Sequence, residues 1–185
     1  PHTWDEFLAL PDDDPRELLD GHYVEMDMPN TIHEFIVMWL GSRLTAWMEE
    51  RNAGIVLASG AKVRVSERRG AMPDIQVVRR GNPGLGRQGF TNGRPDVAIE
   101  IISPGSARFD RVTKLQWYAS IGVPEYWIVD PEAKTIDRLV RDEDGVLQVE
   151  EQAAGDVTWA PASFPGLSLD LAKMWSMGGY ATTGE

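Results

Sequence analysis

Apolar residues recur along this chain in two periods, and the switches between them divide it into elements. Ile32, Phe35, Ile36, Trp39, Leu40, Leu44, Trp47 and Met48 repeat every 3.6 residues, which predicts a helix from Thr31 to about Arg51 ended by Asn52 to Gly54. Ile55 to Val65 and Met72 to Val78 have strand composition, with a charged turn at Glu67 to Gly70 between them. Val97, Ala98, Ile99, Ile101 and Ile102 make a run that is apolar on both faces, the pattern of a strand in the middle of a sheet. Ser103 to Ser106 then supplies a turn and cap for a helix over Ala107 to Ile121, with Phe109, Val112, Leu115, Tyr118 and Ala119 on one side and Gly122 as its stop. Tyr126 to Val129 reads as a second buried strand, Thr135 to Val140 pairs with it after a turn, and Gly145 to Gln152 adds a hairpin strand.

Helix, strand, strand, strand, helix, strand is the order of an α/β sandwich: a mixed central sheet flanked by helices, with an αβββαβ core. Ahead of it, Trp4 to Leu10 predicts a short amphipathic helix, and Glu17 to Met28 a hairpin turning at Asp20-Gly21. Beyond it, Leu167, Leu169, Leu171 and Trp175 of a short tail are expected to pack back on the core. At 185 residues the chain suits a single domain, with residues 1–30 as the N-terminal helix and hairpin, 31–140 as the core and 141–185 as the C-terminal hairpin and tail.

Composition narrows the chemistry. The absence of cysteine excludes disulfides and thiolate zinc sites. No apolar run approaches a membrane span and no signal-peptide pattern opens the chain, which starts at Pro1, so the default compartment is the cytoplasm. A net charge of -11 argues against a polyanionic partner until its distribution is read. Between Gly60 and Ser120 stand 11 basic and 5 acidic residues, so this stretch is +6 and the rest of the chain -17.

Glu100 interrupts the most apolar run in the chain. An ionised carboxylate at that depth costs several kcal/mol unless a metal, a cation or hydrogen bonds compensate it. Asp74 enters the preceding strand, and neighbouring strands lie ~4.8 Å apart, close enough for two carboxylates to share one divalent cation. Mg²⁺ suits such oxygen ligands, with Mn²⁺ as a substitute. Lys114, two helical turns past the cap, is the candidate cation beside an attacking water. Asp110 precedes it by four residues, the spacing of an ordinary exposed helix pair. Asp96 lies ~13 Å from Glu100 at strand rise, which suits a capping or edge role. Thr31-x-x-Glu34 reads as a capping box, with Glu34 as a second-tier metal ligand if it reaches the site. His33 beside it is a lone histidine, more often structural than catalytic. Gly84-x-Gly86-x-x-Gly89 matches a dinucleotide fingerprint in letters only, since no helix follows, and Gly81 to Arg94 reads as a glycine-rich loop.

The segments MPDIQVV, RPDVAIEIISPGSARFDRVTKLQWYASIGVPEYWIVDP and WDEFLALPDDDPRELLDGHYVEM, the last followed by His33, resemble the Uma-two family of restriction endonucleases in the PD-(D/E)XK nuclease superfamily. The resemblance implies a restriction-endonuclease-like fold with Asp74 and Glu100 as the paired carboxylates. The superfamily's strand lysine would fall at Ile102, and its role passes to Lys114 on the helix. The function implied is metal-dependent hydrolysis of DNA phosphodiesters, with Arg64, Arg68, Arg108 and Arg111 on the phosphates and a homodimer to cut both strands. Two alternatives stand beside it. One is a nucleic-acid-binding or assembly module with little or no catalysis on the same fold; the other is a hydrolase of a different phosphoester.

Overall fold

The computed structural model describes residues 1–179 apart from 12, 27–28, 59, 87–88 and 91–92. Its centre is a six-stranded mixed sheet whose strands, from one edge to the other, are Leu147–Ala154 (β12), Thr135–Arg141 (β11), Glu125–Asp130 (β10), Val97–Ile101 (β9), Ile75–Arg79 (β6) and Gly54–Ala58 (β3). The long helix α2 (Thr31–Glu50) leads into β3 (Gly54–Ala58), which pairs antiparallel with β6 (Ile75–Arg79), and β6 pairs antiparallel with β9 (Val97–Ile101). A helical crossover then returns the chain so that β10 (Glu125–Asp130) lies parallel to β9, and β11 (Thr135–Arg141) and β12 (Leu147–Ala154) extend the sheet antiparallel. The predicted αβββαβ order therefore holds.

One predicted strand is divided. The run from Ile55 to Val65 breaks after β3, and β4 (Val63–Ser66) joins β5 (Arg69–Ala71) in a separate four-stranded sheet with β1 (Arg16–Leu19) and β2 (His22–Glu25). The N-terminal hairpin turns at Asp20-Gly21 as its sequence predicts, both residues having positive φ. The short helix α1 (Trp4–Leu8) lays Trp4 and Phe7 on this small sheet beside Leu18. Gly70 permits that approach: a Cβ there would stand 2.7 Å from the Phe7 ring.

The two faces of the large sheet bury different partners. Ile75, Val77, Val97, Ile99, Ile101, Trp127 and Val129 meet α2 and the tail, including Leu169, Leu171, Met174 and Trp175. Ala98, Ile102, Tyr126 and Ile128 face the crossover helix through Trp117 and Tyr118. Alternation along β9 puts Glu100 on this second face, with Ala98 and Ile102.

The remaining elements are small. β7 (Leu85–Gly86) and β8 (Gly89–Phe90) form a two-stranded ribbon where a loop is predicted; residues 87–88 and 91–92 of that segment lie outside the described residues. β13 (Thr158–Trp159) pairs with β14 (Leu169–Asp170), which enters α4 (Leu171–Trp175).

The crossover helix departs from regular α geometry. Phe109–Lys114 is a π-helical turn that runs into α3 (Leu115–Ser120). The wider turn shifts the faces relative to a 3.6-residue repeat, so Val112, expected on the buried side, is 47% exposed, while Asp110 and Lys114 point inward. No helix among the described residues is long and apolar enough to cross a membrane.

Candidate active site

Register alone brings the two predicted carboxylates together. Ile75 of β6 stands opposite Ile99 of β9. Continuing that antiparallel ladder by one residue sets Asp74 opposite Glu100, and opposite residues point to the same face. The Asp74 Oδ2 atom accepts the Ile101 backbone N–H at 2.7 Å, which fixes the carboxylate against the neighbouring strand.

Lys114 arrives from the crossover helix. Its Nζ lies 3.0 Å from Glu100 Oε1, 2.9 Å from Glu17 Oε1 and 3.5 Å from Asp110 Oδ1. The side chain is only 3% exposed, so the pair with Asp110 is not the solvated helix contact that its spacing allows. Tyr118, one turn on, donates its hydroxyl to Glu100 Oε1 at 2.6 Å, and Ser106 donates to Asp110 Oδ2 at 2.6 Å. Tyr126 donates to the Asp110 carbonyl at 3.0 Å and holds the π-helical turn from below.

His33, at the start of α2, places Nε2 3.2 Å from Asp74 Oδ1. Glu17, His33, Asp74, Glu100, Ser106, Asp110 and Lys114 line a cavity of about 290 Å³ whose rim adds Asp13, Asp14, Met26, Pro29 and Gly60.

The electrostatics follow from burial. It pushes the carboxyls of Glu17, Glu100 and Asp110 above the ordinary range, Glu100 well above it, and in each case Lys114 works against the rise. For Lys114 burial opposes the charge, but Glu100, Glu17 and Asp110 outweigh it and hold the ammonium well above the usual lysine value. Burial likewise opposes a charged His33, and the bond and charge of Asp74 together with Glu34 more than offset it, raising the imidazole. Glu17, Asp74, Glu100 and Asp110 thus face one ammonium and one imidazole, and Glu17 Oε2 and Asp110 Oδ1 are buried without a hydrogen-bond partner.

That surplus of carboxyl groups over cations, with Glu17 Oε2 buried and unpaired, fits a divalent cation that would compete with protons for them. Among the described residues no three His, Asp or Glu side chains form a ready cage. Mg²⁺ does not require one, because it is held by one or two carboxylates with the rest of its shell from water and substrate phosphate.

Several predicted site residues sit elsewhere. Glu34 is 59% exposed on its side chain and contacts His33 rather than the cavity. Nor does it close a capping box: the N-cap of α2 is Asn30, whose side chain accepts the His33 N–H. Arg111 is held by Asp130 and Asp137 at 3.1 and 3.0 Å, and Arg64 by Glu67 at 2.6 Å. Both guanidiniums make intramolecular pairs, Arg64 in an exposed one. Arg68 and Arg108 are exposed and have no carboxylate partner among the described residues. Asp96 accepts from the Arg79 backbone N–H and from Asn82, the edge role its position suggests. Of the segment 81–94, no described residue lines the cavity.

Glu17 is the site residue that sequence alone does not indicate. It belongs to a hairpin strand whose visible features are Leu18-Leu19 and the Asp20-Gly21 turn, and its partner Lys114 is far along the chain.

The same fold occurs in a crystal structure of a putative nuclease belonging to DUF820 from Anabaena variabilis ATCC 29413, which superposes with a TM-score of 0.77 at 23% identity over 95% of this chain and 98% of that one. No curated protein is detectably similar in sequence. A family match with the description "Putative restriction endonuclease" runs over residues 4–172 and takes in every residue of the cavity described above; the chain belongs to the Uma2 family.

Proposed function

We propose that this protein is a metal-dependent DNA endonuclease whose hydrolytic centre is the Asp74–Glu100 pair with Lys114 beside it. The observation that carries this reading is the placement of a buried ammonium 3.0 Å from Glu100 at the wall of a cavity rich in carboxylates. Asp74 and Glu100 are the residues to hold Mg²⁺, or Mn²⁺ in its place. A divalent cation there would stabilise the charge gathering on phosphorus and acidify the attacking water.

The chain's own groups supply the rest. Lys114 is held protonated by its neighbours, so it acts as a fixed positive charge and hydrogen-bond donor toward the reacting oxygens rather than as a base. Tyr118 and the Ile101 N–H orient the two carboxylates, and His33 braces Asp74. Arg68 and Arg108 are exposed cations available for backbone phosphates. A homodimer would let one site per subunit cut both strands.

One observation favours the non-catalytic alternative: Lys114 Nζ already has three carboxylate neighbours and must turn toward substrate to act. Cleavage of supercoiled plasmid and of single-stranded DNA, with Mg²⁺, Mn²⁺ or EDTA, decides between them. The expected result is metal-dependent cutting by the wild type that is lost in Glu100→Gln and in Lys114→Ala. Equal cutting by wild type and Glu100→Gln would overturn the assignment, and nucleic-acid retention without any cutting or Mn²⁺ binding would favour the binding module.

A further inference from the structure

Glu17 comes to the cavity from outside the sheet that carries Asp74 and Glu100. It lies on β1 of the small N-terminal sheet, where alternation sends Leu18 toward Trp4 and Phe7 and Glu17 to the opposite face. There it is 2% exposed and lines the cavity. Its Oε1 accepts the Met72 backbone N–H at 3.1 Å and stands 2.9 Å from Lys114 Nζ, while Oε2 is buried without a partner.

A carboxylate buried at a strand position packed this tightly is costly to desolvate, so it needs a partner to offset that cost. What the carboxylate supplies is a second hold on Lys114. A lysine ammonium ends a flexible four-carbon stem, and one partner leaves it free to swing. Glu17 from the small sheet and Glu100 from the large one grip the same Nζ from two elements that are not covalent neighbours. The bond from Met72 adds a tie to the segment that enters β6 just ahead of Asp74.

We infer that Glu17 is a positioning residue of this site: it holds the Lys114 ammonium against Glu100, and through it the N-terminal hairpin is a working part of the hydrolytic centre. This rests on the nuclease reading above.

The test uses Glu17→Gln, which keeps the shape and the acceptor for Met72 but removes the charge, and Glu17→Asp, which keeps the charge on a shorter stem. With only four lysines in the chain, the Lys114 ammonium can be assigned in ¹⁵N NMR spectra by its absence from Lys114→Arg. The wild type should show a sharp, slowly exchanging Lys114 signal. In Glu17→Gln that signal should broaden or vanish while kcat falls roughly 10- to 100-fold with KM little changed. Glu17→Asp should recover part of both.

An unchanged ammonium signal in Glu17→Gln overturns the proposal, and so does a lost signal with kcat intact. If the wild type cuts no DNA, the nuclease reading fails by itself, and the ammonium signal still decides whether Glu17 holds Lys114. If Glu17→Gln does not fold, the same two readouts on Glu17→Asp apply, with wild-type values for both overturning the proposal.

Discussion

Lys114 Nζ stands 3.0 Å from Glu100 Oε1, and both side chains are almost wholly removed from solvent. A helix residue and the central residue of a buried strand form this pair, so neither element can shift without exposing an uncompensated charge. Lys114→Met leaves Glu17, Glu100 and Asp110 without their ammonium. The expected cost is about 3–5 kcal/mol of stability by urea denaturation, together with loss of any cleavage activity. The double variant Lys114→Met/Glu17→Gln should be less destabilised than the sum of the two single changes, because the second removes a carboxylate that the first had orphaned.

Tyr118→Phe removes the 2.6 Å bond to Glu100 and keeps the ring. A buried hydrogen bond to a carboxylate contributes about 1.5–3 kcal/mol, and thermal unfolding should register a loss of that order. Isothermal titration with Mn²⁺ should show roughly 10-fold weaker binding, since the freed Glu100 carboxylate is no longer oriented. Unaltered Mn²⁺ affinity would mean that Glu100 is positioned by Lys114 alone.

Stability should fall as pH rises from the ordinary carboxylate range through neutrality. Glu17, Glu100 and Asp110 have folded pKa values above their unfolded ones, because burial raises them more than Lys114 lowers them. Such groups bind protons more tightly in the folded state, so their contribution is full below the unfolded carboxylate value and is lost as pH climbs through the folded one. His33 is also raised, burial notwithstanding, by Asp74 and Glu34 together, and loses its contribution above the unfolded histidine value. Lys114 is raised too, and keeps its contribution throughout this window. Asp14 has the opposite sign: its bonds to Arg16 lower it to about 2, so it destabilises only in stronger acid. Urea midpoints measured across the range should show the decline. Mg²⁺ should restore more stability near pH 8 than near pH 5, because protons and cation compete for the same carboxylates.

Arg111→Ala and Arg108→Ala should separate structure from binding. Arg111 is paired with Asp130 and Asp137, so its removal should lower the melting temperature and leave DNA affinity nearly unchanged. Arg108 and Arg68 are exposed without carboxylate partners among the described residues. Replacing either should weaken binding across all sequences and reduce the salt slope by about one counterion, measured by fluorescence anisotropy in a salt series.

The site was legible in sequence where a residue violated its own surroundings. Glu100 stood out because an apolar strand has no local use for a carboxylate, and Asp74 followed because strand spacing allowed a pair. Lys114 and Asp110 were ambiguous, since the i, i+4 spacing of an exposed ion pair is also the spacing of two groups turned inward, and the π-helical turn that shifts the faces leaves no mark in a hydrophobic repeat. Charge counting does not show that Arg111 pairs with Asp130 and Asp137, or Arg64 with Glu67, because those partners are set by the fold.

Local pattern alone determined the order of elements, the central strand with its misplaced carboxylate and the turn at Asp20-Gly21, because each depends on residues a few positions apart. The tertiary structure decided that β4 and β5 leave the main sheet, and that their small sheet brings Glu17 against a lysine from the distant crossover helix. Pairing between strands depends on which surfaces remain to be buried once the chain has collapsed, and charge is assigned only then, when each buried group must find its partner or give up its ionisation.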